Sequence, residues 1–269
     1  MVKANPYALP FGQAIRLRDY DPSDDGGMQE ADARKLTAQR QGELRELQEM
    51  LYAQGKYSVL VVLQAMDGGG KDGTIENIFT GINPQGVRVT SFKVPTSDEL
   101  ARDFLWRVHS VVPPKGQIGI FNRSHYEDVL VVRVNQLVPE AVWRARYNHI
   151  NNFEKLLADN GTLILKFYLN ISRQEQKKRF LSRLEEPHKR WKFSRGDLAV
   201  RERWDDYMQA YEDVFTHCHH PHAMWHVVPA NKKWYRDYVV MSALVDAMKG
   251  LPLAYPQPED GLDDIVIPD

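Results

Sequence analysis

Residues 59–74, VLVVLQAMDGGGKDGT, run from an unbroken apolar stretch into three consecutive glycines and one lysine. A Val/Leu run of this kind reads as a strand buried on both faces, as at the centre of a parallel sheet. The glycine turn that follows it, leading into the helix-compatible TIENIF, presents successive backbone N–H groups and the positive end of a helix dipole, which together favour phosphate. The phosphate-loop pattern G-x-x-x-x-G-K-[ST] is satisfied at Gly70-Lys71, whereas Ala65 stands at the first glycine and Asp72 at the Ser/Thr. Three glycines also suit a plain tight connection. The order strand, glycines, lysine, helix favours the phosphate reading, so Gly68, Gly69, Gly70, Lys71, Asp72, Gly73 and Thr74 are expected around bound phosphate.

The two acids of this loop carry information. Negative charge beside phosphate is unfavourable unless a cation sits between them. Asp67 is therefore expected to ligate or position Mg²⁺, with Mn²⁺ as a substitute. For Asp72 two readings stand level: a metal carboxylate in place of the usual hydroxyl, or an acid that complements the dipole of the helix it opens.

A second constellation follows the short apolar run Gln117–Phe121, namely Asn122-Arg123-Ser124-His125-Tyr126-Glu127-Asp128. Strand carboxyl ends are where α/β folds place ligand-contacting groups. The guanidinium of Arg123 grips phosphate oxygens with two parallel bonds and keeps its charge, although a salt bridge to Glu127 or Asp128 is the simpler alternative. Glu127 and Asp128 fall in the first turn of a helix if VLVVRV continues as one, and one of them is expected in the metal shell.

Charge is distributed unevenly. The chain of 269 residues nets −1, so global basicity gives no reason to bind polyanions, and neither nucleic acid nor membrane is expected as a partner. Between Lys177 and Arg195, however, stand Lys177, Lys178, Arg179, Arg183, Lys189, Arg190, Lys192 and Arg195 against only Glu185 and Glu186, a local +6. Such a run is usually a solvated helix face. Arg179 and Arg183 are four apart on one face, and are expected to close over a transferred phosphoryl group as an arginine finger does.

Strand patterns near 59–64, 87–93, 117–122, 162–169 and 225–229 alternate with helical patterns. This spacing predicts an α/β fold: a five-stranded parallel sheet between helices, preceded by a helix from Met28 to about Gln54 that Gly55 ends. Residues 1–27 and 251–269, rich in Pro, Asp and Gly, read as arms around one domain spanning 28–250. The single cysteine, Cys218, allows no internal disulfide, and no apolar stretch is long enough to cross a bilayer, so a soluble cytoplasmic protein is expected. The cluster His217-Cys218-His219-His220-Pro221-His222 lacks zinc-site spacing and is expected to be a polar surface loop. Asn231-Lys232-Lys233-Trp234 imitates the guanine-reading N-K-x-D, but Trp234 replaces its aspartate; that tryptophan packs on the loop or holds a base.

AMDGGGKDGT, SFKVPT at 91–96, FNRSHYED at 121–128, RWKFSRGD at 190–197 and PANKKWYR at 229–236 together resemble the polyphosphate kinase 2 family. The resemblance is closest to its single-domain subgroup, which phosphorylates nucleoside mono- and diphosphates from polyphosphate, and runs from about Leu44 to the tail. It implies a P-loop kinase-like fold, a Walker A motif over Asp67–Gly73 with Lys71 as its lysine, and a Walker B-like motif at Asn122 and Arg123. Asn122 stands where many members carry Asp, which makes Glu127 the nearest replacement as second metal carboxylate. Asn122, Arg123, Glu127 and Asp128 are then expected at the nucleotide, Lys93, Lys189, Arg190, Lys192, Arg201 and Lys232 at phosphates, and a helical lid at about 177–203. Inorganic polyphosphate, adenine and guanine nucleotides, and further copies of the chain in a dimer or tetramer are the implied partners. Two other functions fit the phosphate loop: an ATP-dependent small-molecule kinase, and a non-catalytic nucleotide-binding regulator.

Overall fold

The computed structural model describes residues 6–262 and 265–268. Helix α1 (Glu30–Gln54) precedes strand β1 (Ser58–Gln64), helix α2 (Lys71–Phe79) and strand β2 (Val87–Ser91). The short helices α3 (Ser97–Leu100) and α4 (Trp106–His109) lead to strand β3 (Ile118–Asn122), then α5 (Val131–Val134), α6 (Glu140–Asp159) and strand β4 (Thr162–Asn170). Helices α7 (Arg173–Glu185), α8 (Gly196–Glu202) and α9 (Trp204–His217), strand β5 (Ala223–Pro229) and helix α10 (Lys233–Lys249) complete the chain.

All five strands are parallel, in the order β2-β3-β1-β4-β5. Every residue of β1 is buried, as a strand flanked on both edges and covered on both faces requires. Helices α1, α2 and α10 cover one face of the sheet, and α5, α6 and α9 the other. Leu44, Leu47 and Leu51, at helical spacing, form the buried stripe of α1, and Gly55 ends that helix in the left-handed region at φ 62°. From β1 the chain crosses toward β2, and from β4 toward β5. The reversal therefore lies between β1 and β4, where open α/β sheets bind ligands beyond the strand carboxyl ends.

Residues 7–17 of the N-terminal arm pack against the domain. Leu9 N donates to Trp225 C=O (3.0 Å) and Val227 N to Tyr7 C=O (2.9 Å), so residues 7–9 cover the open edge of β5, and Leu9, Ile15 and Leu17 are buried. Two local expectations change. Glu127 and Asp128 lie in a 3₁₀ turn, His125–Asp128, ahead of the four-residue α5. The basic stretch is likewise no continuous helix face, because Pro187 cannot continue α7 and opens a 3₁₀ turn over Pro187–Lys192.

Under the β3 end lies a charged cluster with no exposure. Lys166 Nζ donates to Glu154 Oε2 (2.6 Å), Tyr126 Oη (2.7 Å) and Cys218 C=O (2.7 Å), while Tyr126 Oη donates to Glu154 Oε1 (2.7 Å). His125 Nε2 lies 3.2 Å from the same Glu154 oxygen. Burial alone raises the Glu154 carboxyl, but Lys166 and His125 outweigh it and hold it down from 4.5 to about 2. A depressed acid stabilises the fold above its unfolded pKa and loses that contribution as pH falls through the folded one. Glu154 should therefore contribute roughly 3 kcal/mol at neutral pH, lost between pH 4.5 and about 2. Urea unfolding of Glu154→Gln should show a loss of about 3 kcal/mol or more at neutral pH, since Lys166 is left buried without a counter-charge. The gap to wild type should narrow in acid; a pH-independent gap would contradict the assignment.

Candidate active site

The loop after β1 needs its glycines for two separate reasons. Gly68 and Gly70 adopt φ 80° and 98°, the left-handed region that other L residues resist. A Cβ on Gly69 would collide with Ala65, and one on Gly70 with the Arg236 guanidinium. Gly70 is the N-cap of α2, and Lys71 opens that helix with its side chain folded back over the loop, Nζ donating to Ala65 C=O (3.2 Å). Lys71 is buried; that burial lowers its pKa, the neighbouring Arg123 lowers it further, and Asp67, Glu127 and Asp72 partly offset both.

Arg123 follows β3 in the left-handed region at φ 61°, an uncommon conformation for a non-glycine residue, anchored by its N–H on Leu63 C=O (3.0 Å). The turn aims its guanidinium across to Asp67, where Nη2 meets Oδ1 at 2.6 Å. Burial opposes its charge, yet Glu127 and Asp67 together raise it further. Asn122 Nδ2 donates to Asp72 Oδ1 (2.6 Å), tying the ends of β3 and the phosphate loop together. Glu127 is half-buried; burial raises its carboxyl above the usual range, against Arg123 and Lys71. Asp67, Lys71, Asp72, Asn122, Arg123 and Glu127 thus converge on one place.

Several other expected residues are engaged elsewhere. Thr74 is fully buried and its hydroxyl donates to Gly70 C=O (3.0 Å), so it closes a helical turn instead of facing a ligand. Asp128 turns into the protein, where Arg146 Nη1 reaches Oδ1 at 3.1 Å, because the 3₁₀ turn sends Glu127 and Asp128 in different directions. Lys232 is ion-paired with Asp25. Arg183 Nη1 donates to Lys192 C=O (3.1 Å) and to Asp197 Oδ2 (3.4 Å). All five N–H bonds of Arg179 end on Glu175 and on four backbone carbonyls, so it is not free to act as a finger.

Lys189 pairs with Glu186 (2.5 Å), Arg190 Nε donates to Leu184 C=O (2.8 Å), and Lys192 lies over the Trp191 ring (5.1 Å). Arg201 Nη1 donates to Arg173 C=O (2.7 Å) and Gln176 Oε1 (2.8 Å). Lys93 is exposed beyond the end of β2, its carbonyl accepting from Arg107 (2.9 Å). His219 bridges Leu9 C=O and Trp225 N–H, so the histidine loop is partly structural. Trp234 packs edge-on against Tyr235.

Other residues surround the site without having been singled out. Gln64, at the end of β1, donates to Ser124 Oγ (3.0 Å) and supports the Glu127 carboxylate. Gln176 Nε2 donates to Asp67 C=O (2.8 Å). Asp197 comes close enough for Asp67, after burial, to raise its carboxyl. Arg236 and Asp197 lie inside PANKKWYR and RWKFSRGD and were the most findable of these; Gln64 and Gln176 carry no charge or motif signal.

Among the described residues no three or more His, Cys, Asp or Glu side chains gather as a cation cage. Mg²⁺ commonly takes one or two carboxylates and completes its shell with water and substrate phosphates. Asp67 and Glu127, each acting on Lys71 and Arg123, fit such a partial donor set.

The sequence model described as polyphosphate kinase 2 matches residues 27–253. The chain belongs to the polyphosphate kinase 2 family. A Meiothermus ruber protein named AMP/ADP-polyphosphate phosphotransferase is 56% identical over 257 residues, 94% of this chain and 96% of its own. A Rhodopseudomonas palustris protein named ADP-polyphosphate phosphotransferase is 46% identical over 80% of this chain and 78% of its own. The crystal structure of polyphosphate kinase 2 from Arthrobacter aurescens superposes with a TM-score of 0.92 at 44% identity, covering 96% of this chain and 93% of that one.

Because burial lifts the Glu127 carboxyl above its ordinary value, stability falls as pH rises from the ordinary carboxylate range through that raised pKa, and the penalty disappears in acid. Glu127→Gln should therefore raise the Tm of the nucleotide-free protein at pH 8 and leave it near wild type at pH 4, while turnover falls. A Tm lowered at pH 8 would show that the ionised carboxylate is a net stabiliser.

Proposed function

We propose that this chain moves the terminal phosphoryl group of inorganic polyphosphate onto AMP and ADP, giving ADP and ATP, with GMP and GDP as further acceptors and the reaction reversible. The reading is supported by one conjunction: a phosphate loop with Lys71 and Arg123 at the β1–β3 carboxyl edge, in a chain whose 56%-identical relative is named for AMP/ADP phosphorylation.

In this reaction the bond from the acceptor phosphate oxygen to the terminal phosphorus forms as the bridging P–O bond breaks. The shortened polyphosphate leaves with the electron pair. An acceptor phosphate has a second pKa near ~6 and is already mostly deprotonated at neutral pH, so no general base is needed. Positioning and charge neutralisation carry the rate. In this reading Lys71 and the loop amides hold one phosphate, and Arg123 holds another while Asp67 orients its guanidinium. Asp67 and Glu127 would hold Mg²⁺, which would supply charge neutralisation to the reacting phosphates. The segment after Pro187, with Lys189, Arg190 and Lys192, is assigned to the lid and to the polyphosphate chain. The same reading makes the enzyme a homo-oligomer, with Val89 exposed on the edge strand β2 and Val94 exposed beyond its end, and places it in the cytoplasm, consistent with the unpaired buried Cys218.

Incubation of AMP, ADP, GMP and GDP with polyphosphate and Mg²⁺, without ATP, should yield phosphorylated products. Lys71→Ala should lower kcat by ~10²-fold or more. Products formed only when ATP is the donor would replace the reading with an ATP-dependent kinase. Asp67→Asn should weaken the Mg²⁺ dependence and lower kcat, since an amide offers an oxygen without the charge a hard cation prefers. An unchanged Mg²⁺ titration would remove Asp67 from the metal shell.

A further inference from the structure

A loop that turns its N–H groups toward an anion turns carbonyls the other way, and these need partners. Here three successive carbonyls are met by one face of α7. Gln176 Nε2 donates to Asp67 C=O (2.8 Å), and Arg179, three residues further on, donates through Nη1 to Gly68 C=O (2.9 Å) and Gly69 C=O (3.0 Å). Phe180 packs beside Gly68. The other edge of the Arg179 fork reaches the loop after β5, Nη2 donating to Ala230 C=O (2.5 Å) and Asn231 C=O (3.2 Å), while Nε is held by Glu175 (2.9 Å).

The loop after β5 is itself held from outside. Asn231 N donates to Pro22 C=O (3.0 Å), Asn231 Nδ2 to Ser23 Oγ (2.7 Å), and Lys232 pairs with Asp25. Asn231 Oδ1 also accepts from Ser172 N (2.9 Å), at the N-cap of the helix that carries Arg179. A continuous set of polar contacts therefore runs from residues 22–25, through Asn231 and Lys232, to Arg179 and on to the phosphate loop.

We propose that Arg179 is a positioning residue, joining the phosphate loop to the β5–α10 loop, and that the N-terminal segment 22–25 stabilises the phosphate loop through this connection. The inference deepens the phosphotransferase reading and rests on it for the kinetic consequences. Only a planar fork serves this role. A lysine has one nitrogen with three donors and cannot reach carbonyls on two separate loops, whereas it would retain much of the value of a cation placed on phosphate.

Hydrogen exchange on the full-length, nucleotide-free protein tests the connection without reference to any donor. In Arg179→Lys and Arg179→Ala alike, amides of 67–73 and 230–233 should exchange roughly 10-fold faster or more, as expected when hydrogen bonds of ordinary strength are lost, with β1 and β3 unchanged. Both variants should lose kcat to a similar degree, with KM for polyphosphate changing less. Asp25→Ala should accelerate exchange at 230–233 and, more weakly, at 67–73. Combined with Arg179→Ala it should add nothing further at 67–73, because the connection is already cut. The proposal is overturned by recovery of kcat in Arg179→Lys, or by unchanged exchange at 67–73 in Arg179→Ala with a raised polyphosphate KM. Should the Arg179 variants not fold, Asp25→Ala decides alone: no change at 67–73 refutes the proposal. Exchange changes in a protein that cannot use polyphosphate would refute the donor assignment and leave the connection standing.

Discussion

Three successive carbonyls of the phosphate loop are satisfied from behind by one helix. Gln176 and Arg179 lie one helical turn apart on α7 and meet the carbonyls of Asp67, Gly68 and Gly69 in sequence. Those bonds, with Gly69 N–H on Met66 C=O (2.9 Å), hold two positive-φ glycines in one conformation, which matters because glycine gains freedom in the unfolded state and offers no side chain to pack. The position of α7 is in turn set by β4, the strand next to β1, so sheet order and loop geometry are linked.

Around this loop the cationic charges are only partly compensated by neighbouring carboxylates. Lys71 and Arg123 repel each other, and burial further disfavours the Lys71 charge. Asp67 relieves Arg123 by direct contact, and Asp67, Glu127 and Asp72 relieve Lys71 only in part. Under the proposed function, a phosphate placed among these cations would reduce their repulsion, and a divalent cation would do the same for Asp67 and Glu127. Arg123 holds its place in this cluster with a left-handed backbone, an uncommon conformation for a non-glycine residue.

Much of the architecture was legible because its signals are local and periodic. The apolar run of β1, the Leu44, Leu47 and Leu51 stripe, Gly55 as a helix end and the strand–helix alternation each depend on near neighbours in sequence. The convergence of Asp67, Lys71, Asn122 and Arg123 was legible for a related reason: both segments follow strands, and parallel strands put their carboxyl ends on one edge. Where expectation and structure parted, the deciding contact was one the motif does not specify, local for Thr74 and distant for Asp128 and Arg179. Thr74 closes its own helix, Asp128 finds Arg146 on α6, and Arg179 finds carbonyls of two separate loops.

By itself the sequence determined the order of elements, the glycine requirement of the loop after β1, and the residue types able to meet phosphate, because backbone conformation and side-chain chemistry are properties of short segments. Only the tertiary structure decided which cations stay available. Arg123 and Arg179 are chemically identical and both follow a strand of the same sheet. Arg123 meets one carboxylate at the site edge, whereas the fork of Arg179 is filled by backbone oxygens more than fifty residues away on either side. Hydrogen-bond saturation depends on what the fold brings near, and nothing in the neighbouring sequence encodes it.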